Sequence, residues 1–336
     1  MSTPRPTIED VARAAGVSRA TVSRVINDEP GASEPLRARV RAAVAELGYL
    51  PNQTARALAS GRPRAVDVVA VTYTPGLGWL GVHPYYSRVL AGVMSVLEGT
   101  DVHLRLHAVG ASGATEALDT IAAQATVGAV LTNLEPAQAA RFHRRCRRSV
   151  SMVTTAASVP SVEVDNAAGA YAAVEHLHRL GRRRIAAIHG PEASTCAVDR
   201  RAGYERAVRD LGLPDLGTPG GDFVREHGHD TAARLLQEHP GLDALFVSCD
   251  LMAAGAVQAI TAAGRRVPGD VSIMGFDDSL AAVCANPPLS TMRVPVEDMA
   301  AAATRLLLGG DVPAGHRELF PVAPVLRQST AAGRFT

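Results

Sequence analysis

The 336-residue sequence contains no lysine, so all 34 basic side chains are arginine. With the high alanine content, this marks a GC-rich genome more than a surface built for nucleic acid. Cysteine is scarce. Cys146, Cys196, Cys249 and Cys284 are widely spaced with no C-x-x-C pair, which fits neither a zinc site nor a disulfide framework. Reduced thiols in the cytoplasm are therefore expected. Aromatic residues make up 4%, with a single tryptophan, Trp79. No run of about 20 apolar residues occurs, so no membrane span is expected. The first thirty residues carry acids and lack an apolar h-region, so no secretory signal is expected either. Histidines are scattered singly, without metal-ligand spacing. G-x-S-x-G and P-loop motifs are missing, so the sequence predicts no cofactor, no metal and no enzyme.

What is present reads as two or three globular domains, with 47% hydrophobic and 20% charged residues. The net charge of +1 hides an asymmetry. Residues 1–64 hold 10 arginines against 6 acids, whereas residues 65–336 hold 24 against 27. A basic head on a mildly acidic body suits a head that meets phosphates.

Residues 7–27, TIEDVARAAGVSRATVSRVIN, carry the sharpest local pattern. Thr7 with Asp10 three places on predicts a capping box, and Ile8, Val11, Ala12 and Ala15 form one apolar stripe. Gly16 permits a tight turn within Ala15-Gly16-Val17. Ser18 caps a second helix whose Val22, Val25 and Ile26 point inward. Arg19, Ala20, Ser23, Arg24 and Asn27 are left for solvent or DNA. A third helix is expected from a Ser33 cap to about Leu47, with Leu36, Val40, Val44 and Leu47 inside and Gly48 as its stop. Two short helices joined this way make a helix-turn-helix, whose second helix fits the major groove. YLPNQTARALASGR follows, with Asn52 as a cap and Gly61 as an end. It is too short to be a stable helix alone. It reads either as a plain linker or as a hinge that folds only when packed against a twin chain on DNA, with Leu58 as a minor-groove wedge.

From Val66 onward strands and helices alternate, from VDVVAVTY and HPYYSRVLAGVMSVLE to VSIMGFDD, which predicts parallel sheets covered by helices on both faces. The run Arg141, Arg144, Arg145, Arg147, Arg148 reads as a solvated helix face.

DVARAAGVSRATVSRVIN, RVRAAVAELGYLPN and the ARALA hinge resemble the head of the lactose-repressor (LacI/GalR) family of bacterial regulators. VDNAAGAYAAVEHLHRLGRRRIAAIHG, DRRAGYERAV, VSIMGFDDS, PPLSTMR and VLRQST resemble that family's effector domain, a relative of periplasmic sugar-binding proteins. The resemblance covers essentially the whole chain. It implies an α/β protein with an all-α helix-turn-helix head and two Rossmann-like lobes between which the chain crosses three times. Residues 1–50 would be the DNA-binding domain and 51–64 the hinge and linker. Residues 65–336 would be the effector domain, with 65–182 and 296–322 in the first lobe and 183–292 and 323–336 in the second.

The resemblance further implies that Arg19, Ala20 and Arg24 face base edges. Arginine can pair bidentately with guanine, and alanine offers a methyl to thymine. Thr21, Ser23, Asn27 and Ser33, with the capping residues Thr7 and Ser18, would complete the DNA contacts, chiefly to phosphates. Asn52, Ala55 and Leu58 would lie in the minor groove. Effector contacts would be Tyr85, Tyr86, Ser194, Arg200, Asp250 and Asp277. Asp278 and Arg201 read as structural or surface neighbours. Cys249 replaces the asparagine usual before Asp250, so effector chemistry should differ from typical sugar binders. Trp79 either walls the cleft or plugs a surface hollow.

The expected function is a homodimeric repressor of a carbohydrate operon, released from a near-palindromic double-stranded operator by a mono- or disaccharide. A corepressor-dependent regulator answering to a purine or other metabolite is the alternative. A transport solute-binding protein is disfavoured by the head.

Overall fold

In the head of a computed structural model, the first and third helices each end on a left-handed glycine, Gly16 and Gly48. Residues 6–26, 31–49, 63–72, 81, 83–110, 113–216, 220–310 and 312–330 are described. The chain divides into two units, Met1–Pro63 and Arg64–Thr336. In the first, α1 spans Ile8–Ala15, α2 Arg19–Ile26 and α3 Glu34–Leu47. The capping box is closed: the Asp10 N–H donates to Thr7 Oγ1 at 3.3 Å, and the Thr7 N–H donates to Asp10 Oδ2 at 2.8 Å. Gly16, at φ +60°, ends α1 and turns its N–H back to Ala12 and Arg13. Ser18 Oγ accepts the Thr21 N–H at 3.2 Å at the start of α2. Ser33 stands at the N-cap of α3, but its side chain makes no capping bond, contrary to expectation. Val11, Val22 and Val40 are fully buried, each worth about 1.5–3 kcal/mol. Leu36 is only half-buried, and Ala43 and Tyr49 fill the core beside Val25 instead. Arg39 Nη2 donates to the Ala15 carbonyl at 2.6 Å, tying α3 to the end of α1.

In the second unit, the strands are β1 Ala65–Thr72, β2 His103–Gly110, β3 Gly128–Thr132, β4 Ser149–Ser151, β5 Ser161–Val164, β6 Ile185–Ile188, β7 Ala244–Val247, β8 Ser272–Asp277, β9 Ser290–Arg293, β10 Arg317–Phe320 and β11 Ala323–Val325. They form two sheets, ordered β10-β5-β4-β3-β1-β2 and β11-β9-β8-β7-β6. Every pairing is parallel except β11 with β9. All eight residues of β1 are buried, including Asp67. Its carboxylate is matched by Arg105, which donates Nε and Nη2 at 2.8 Å each, and by His107 Nε2 at 2.7 Å.

Around the sheets lie α4 Pro84–Leu97, α5 Ala114–Gln124, α6 Pro136–Arg145, α7 Asn166–Arg179, α8 Thr195–Asp210, α9 Arg225–Glu238, α10 Asp250–Ala262, α11 Leu280–Cys284 and α12 Val296–Leu308. The chain crosses between sheets after β5, after β9 and between β10 and β11. α12 packs on β3, β4 and β5. α7, which the sequence reading puts in the first lobe, packs against β6–β9 and α8 of the second sheet. Its buried Ala170, Ala173, Val174 and Leu177 cover that sheet. Arg141 and Arg145 do not simply face solvent: both pair with Asp119, at 2.7 and 2.9 Å. Among the described residues, no helix is long and apolar enough to cross a membrane.

Candidate functional site

On α2, Val22 and Val25 are buried, and Arg19, Ala20 and Arg24 are exposed. At 3.6 residues per turn these three fall within an arc of about 140°, which makes one outward face. Ser23, half-buried, lies within that arc, and half-buried Thr21 lies beyond its edge. Arg19 Nε lies 3.5 Å from Glu9 of α1, both largely exposed. The hydroxyls of Ser18 and Thr21 meet at 2.9 Å, and Thr7 Oγ1 donates to Asp10 Oδ2 at 2.7 Å, so all three serve helix starts. Ser33 is exposed. Asn27, Asn52, Ala55, Leu58 and Trp79 lie outside the described residues.

The second constellation gathers where β8 and β7 end. Arg200 on α8 is 6% exposed. Its Nε donates to Asn166 Oδ1 at 2.8 Å and its Nη1 to the Ser248 carbonyl at 2.6 Å. The guanidinium lies 3.9 Å above the Phe276 ring and 3.3 Å from Asp277 Oδ1. Burial opposes the Arg200 charge, and Asp277, Cys196, Cys249 and Asp250 together more than restore it. Asp277 takes φ +115° at the end of β8. Burial pushes its carboxyl up, against the pull of Arg200 and Arg88. Gly203 makes this approach possible: a Cβ there would meet the Ala167 carbonyl of α7 at 2.1 Å.

The other expected effector residues are placed differently. Asp250, at the start of α10, has no exposed surface. Its carboxylate accepts the Ser279 N–H at 2.7 Å and the Thr291 hydroxyl at 2.6 Å. It holds the turn after β8 through Ser279 and Thr291. Burial, then Asp277, pushes its carboxyl up. Tyr86 is 2% exposed, and its hydroxyl accepts from Asn133 Nδ2 at 2.5 Å. Its ring is therefore committed to the interior and unavailable for the stacking expected of it. Tyr85 packs edge-on against it at 5.3 Å and stays half-buried. Burial, then Cys196 and Asp277, pushes the Tyr85 hydroxyl up. Ser194 is buried at the N-cap of α8, 3.2 Å from Cys196 Sγ.

Three residues were missed in sequence. Asn166 directs Arg200, Phe276 supports it, and Arg88 on α4 reaches the Asp277 carbonyl at 2.8 Å. Asn166 sits in the VDNAAG motif, directly after a capping Asp165; Arg88 lies one helical turn after Tyr85. Those were the available signals. His83, buried at the N-cap of α4, accepts the Tyr85 N–H through Nδ1 at 3.2 Å. Burial, then the Arg200 charge, lowers its imidazole to about 4. A cavity of about 470 Å³ opens between Glu135 and Pro136 of the first lobe and Glu192, Thr195, Val198 and Asp199 of the second. Neither Arg200 nor Asp277 lines it.

Residues 7–52 match the family described as bacterial regulatory proteins, lacI family, and residues 174–330 match a periplasmic binding protein-like domain. The HTH-type transcriptional regulator CelR of Thermobifida fusca is 35% identical over 90% of this chain and 91% of its own length. Among solved structures, a transcriptional regulator CelR–cellobiose complex superposes with TM-score 0.70 at 32% identity, covering 97% of this chain and 100% of that one. The lac repressor dimer bound to operator and the anti-inducer ONPF superposes with TM-score 0.70 at 29% identity, covering 97% and 99%. Similarity that runs through head and body alike identifies a ligand-responsive, DNA-binding transcriptional regulator, and the chain belongs to the lacI family of bacterial regulatory proteins.

Proposed function

We propose that this regulator is a homodimeric repressor that holds a near-palindromic operator and lets go when a neutral mono- or disaccharide enters between its lobes. The observation that carries the reading is the buried Arg200–Asp277 pair at 3.3 Å, gathered where β7 and β8 end. A guanidinium fork beside a carboxylate matches vicinal hydroxyls as donor and acceptor, and strand ends facing a crevice are where open α/β sheets bind ligands. In CelR the bound sugar is cellobiose, so cellobiose is the first probe.

In the head, Arg19, Ala20 and Arg24 read base edges, and Thr21, Ser23 and Ser33 with the capped helix starts at Thr7 and Ser18 set register on phosphates. Asn27 joins the phosphate set; Asn52, Ala55 and Leu58 enter the minor groove, where Leu58 acts as a wedge. Tyr85 and Ser194 complete the effector set. The effector discriminates between the lobe arrangements by about 1–3 kcal/mol, the usual size of such coupling.

The test is fluorescence anisotropy of the full chain on palindromic duplexes recovered by in vitro selection, with cellobiose and a sugar and nucleoside panel. The reading requires salt-sensitive binding that a sugar weakens. A sugar that tightens binding makes the chain corepressor-dependent, and a response to nucleosides alone rejects the sugar.

A further inference from the structure

Arg88, a first-lobe side chain, reaches the peptide of Asp277 with its charge. Its side chain is 16% exposed. Nε and Nη2 donate to the two Glu297 oxygens at 2.7 and 2.6 Å, Nη1 to the Asp277 carbonyl at 2.8 Å, and Nη2 to the Val294 carbonyl at 2.9 Å. α4 and α12 both belong to the first lobe, where Gly92 lets them touch: a Cβ there would meet the Glu297 carbonyl at 2.2 Å. The Asp277 carbonyl ends β8 of the second sheet, and Val294 lies on the crossing between sheets. One guanidinium, clamped from behind by Glu297, thus grips the carbonyls on either side of a chain crossing.

We infer that Arg88 is a positioning residue for effector recognition: it holds the Asp277 peptide from the first lobe so that the Asp277 carboxylate faces Arg200 of the second. The backbone supports this division of labour. Asp277 and Asp278 are consecutive non-glycine residues at φ +115° and +56°, conformations that persist only when their surroundings hold them. Asp278 is held by Arg293 and Arg327, both at 2.6 Å. The Asp277 carbonyl, at the end of the β8–β9 ladder, accepts from Arg88 and from the Val294 N–H, at 3.3 Å. The Val294 bond is the longer of the two and comes from the same crossing that Arg88 itself secures. Without Arg88 the Asp277 carbonyl keeps only the longer Val294 bond, and the carboxylate loses its fixed direction toward Arg200 although Asp278 and Ser279 stay held. Arg88 touches the effector in no step of this scheme. It acts through Asp277, and the inference rests on the sugar-binding reading above.

Two measurements on Arg88→Met and Glu297→Gln test it. The first needs no ligand: hydrogen exchange and a crystal structure of each full-length variant. Arg88→Met is expected to lose at least tenfold protection in the peptide covering 275–297 and to move Asp277 off φ +115°, with β1 and β6 unchanged. Glu297→Gln keeps the carbonyl bonds and an acceptor for Arg88, and is expected to behave like the parent. An unmoved Asp277 in Arg88→Met overturns the proposal, and so does equal damage from Glu297→Gln. The second is calorimetric titration with cellobiose: Arg88→Met is expected to weaken binding tenfold or more, with ligand-free DNA affinity within threefold. Equal cellobiose affinity in parent and Arg88→Met also overturns it. A parent that binds no sugar at all defeats the sugar reading instead, and the ligand-free measurement still decides the role of Arg88.

Discussion

Arg200 Nη1 lies 3.3 Å from Asp277 Oδ1, and both residues are almost wholly buried. Each charge is tolerable only because the other is there. Removing one member leaves an uncompensated buried charge, at a cost of about 3–5 kcal/mol. Arg200→Ala is therefore a poor probe of recognition alone. Asp277→Asn also removes the compensating charge, but it keeps the side-chain shape and an acceptor for Arg200, so it is read beside the urea midpoint. It is expected to keep operator binding and lose the sugar response. An unchanged response, read by anisotropy, places the effector elsewhere.

Arg24 is exposed on the outward face of α2 with Ala20 and Arg19. Arg24→Ala is expected to cost about 1–3 kcal/mol on the best duplex and to relax preference at one base pair per half-site. A uniform loss over all duplexes, with a shallower salt dependence, makes Arg24 a phosphate contact instead.

Gly203 sits where α8 crosses α7, one turn beyond Arg200. Gly203→Ala forces the helices apart, since its Cβ would lie 2.1 Å from the Ala167 carbonyl. Overpacking of this kind costs about 1–3 kcal/mol. It also draws Arg200 off Asn166, so the urea midpoint and the sugar affinity should fall together. A drop in the midpoint with full sugar affinity separates the packing from the site.

His83, His143 and His189 are buried, and burial, the leading cause in each, lowers each imidazole to about 4. Unfolded histidine titrates near 6.5, so between the two values the unfolded chain holds the extra protons. Their contribution is complete above about pH 6.5 and declines as pH falls toward about 4. The raised carboxyls of Asp250 and Asp277 act in the opposite sense, so the test is a difference. His189 packs edge-on against Tyr204 at 5.5 Å, and His189→Phe keeps that contact without the proton. Urea unfolding at pH 7.5 and pH 5 should show the parent losing about 2 kcal/mol more than the variant. Parallel losses acquit His189.

Much of the head can be read along the chain because its determinants are local. Thr7 with Asp10, Gly16 and Ser18 act over three or four residues, and the spacing of Val11, Val22 and Val25 sets the buried face. Ser33 shows the limit: the residue type suits a cap, but only the rotamer in three dimensions makes the bond. In the body, alternation of apolar strands and helices announces parallel sheets. It does not say that α7 covers the second sheet or that β11 pairs antiparallel. Arg200 and Asp277 stand out by motif. Asp250 and Tyr86 look equally eligible, and are spent on Thr291 and Ser279 in one case and Asn133 in the other.

The amino-acid order alone thus determined the caps, turns and apolar periods, and through them a DNA-reading head and an α/β body. Tertiary structure alone decided which polar side chains remain available in the cleft. The reason is distance along the chain: Arg88 meets Asp277 and Glu297 across 189 and 209 residues. No local preference encodes such a meeting. It exists only because three crossings between two sheets bring the ends of β8, α4 and α12 to one place.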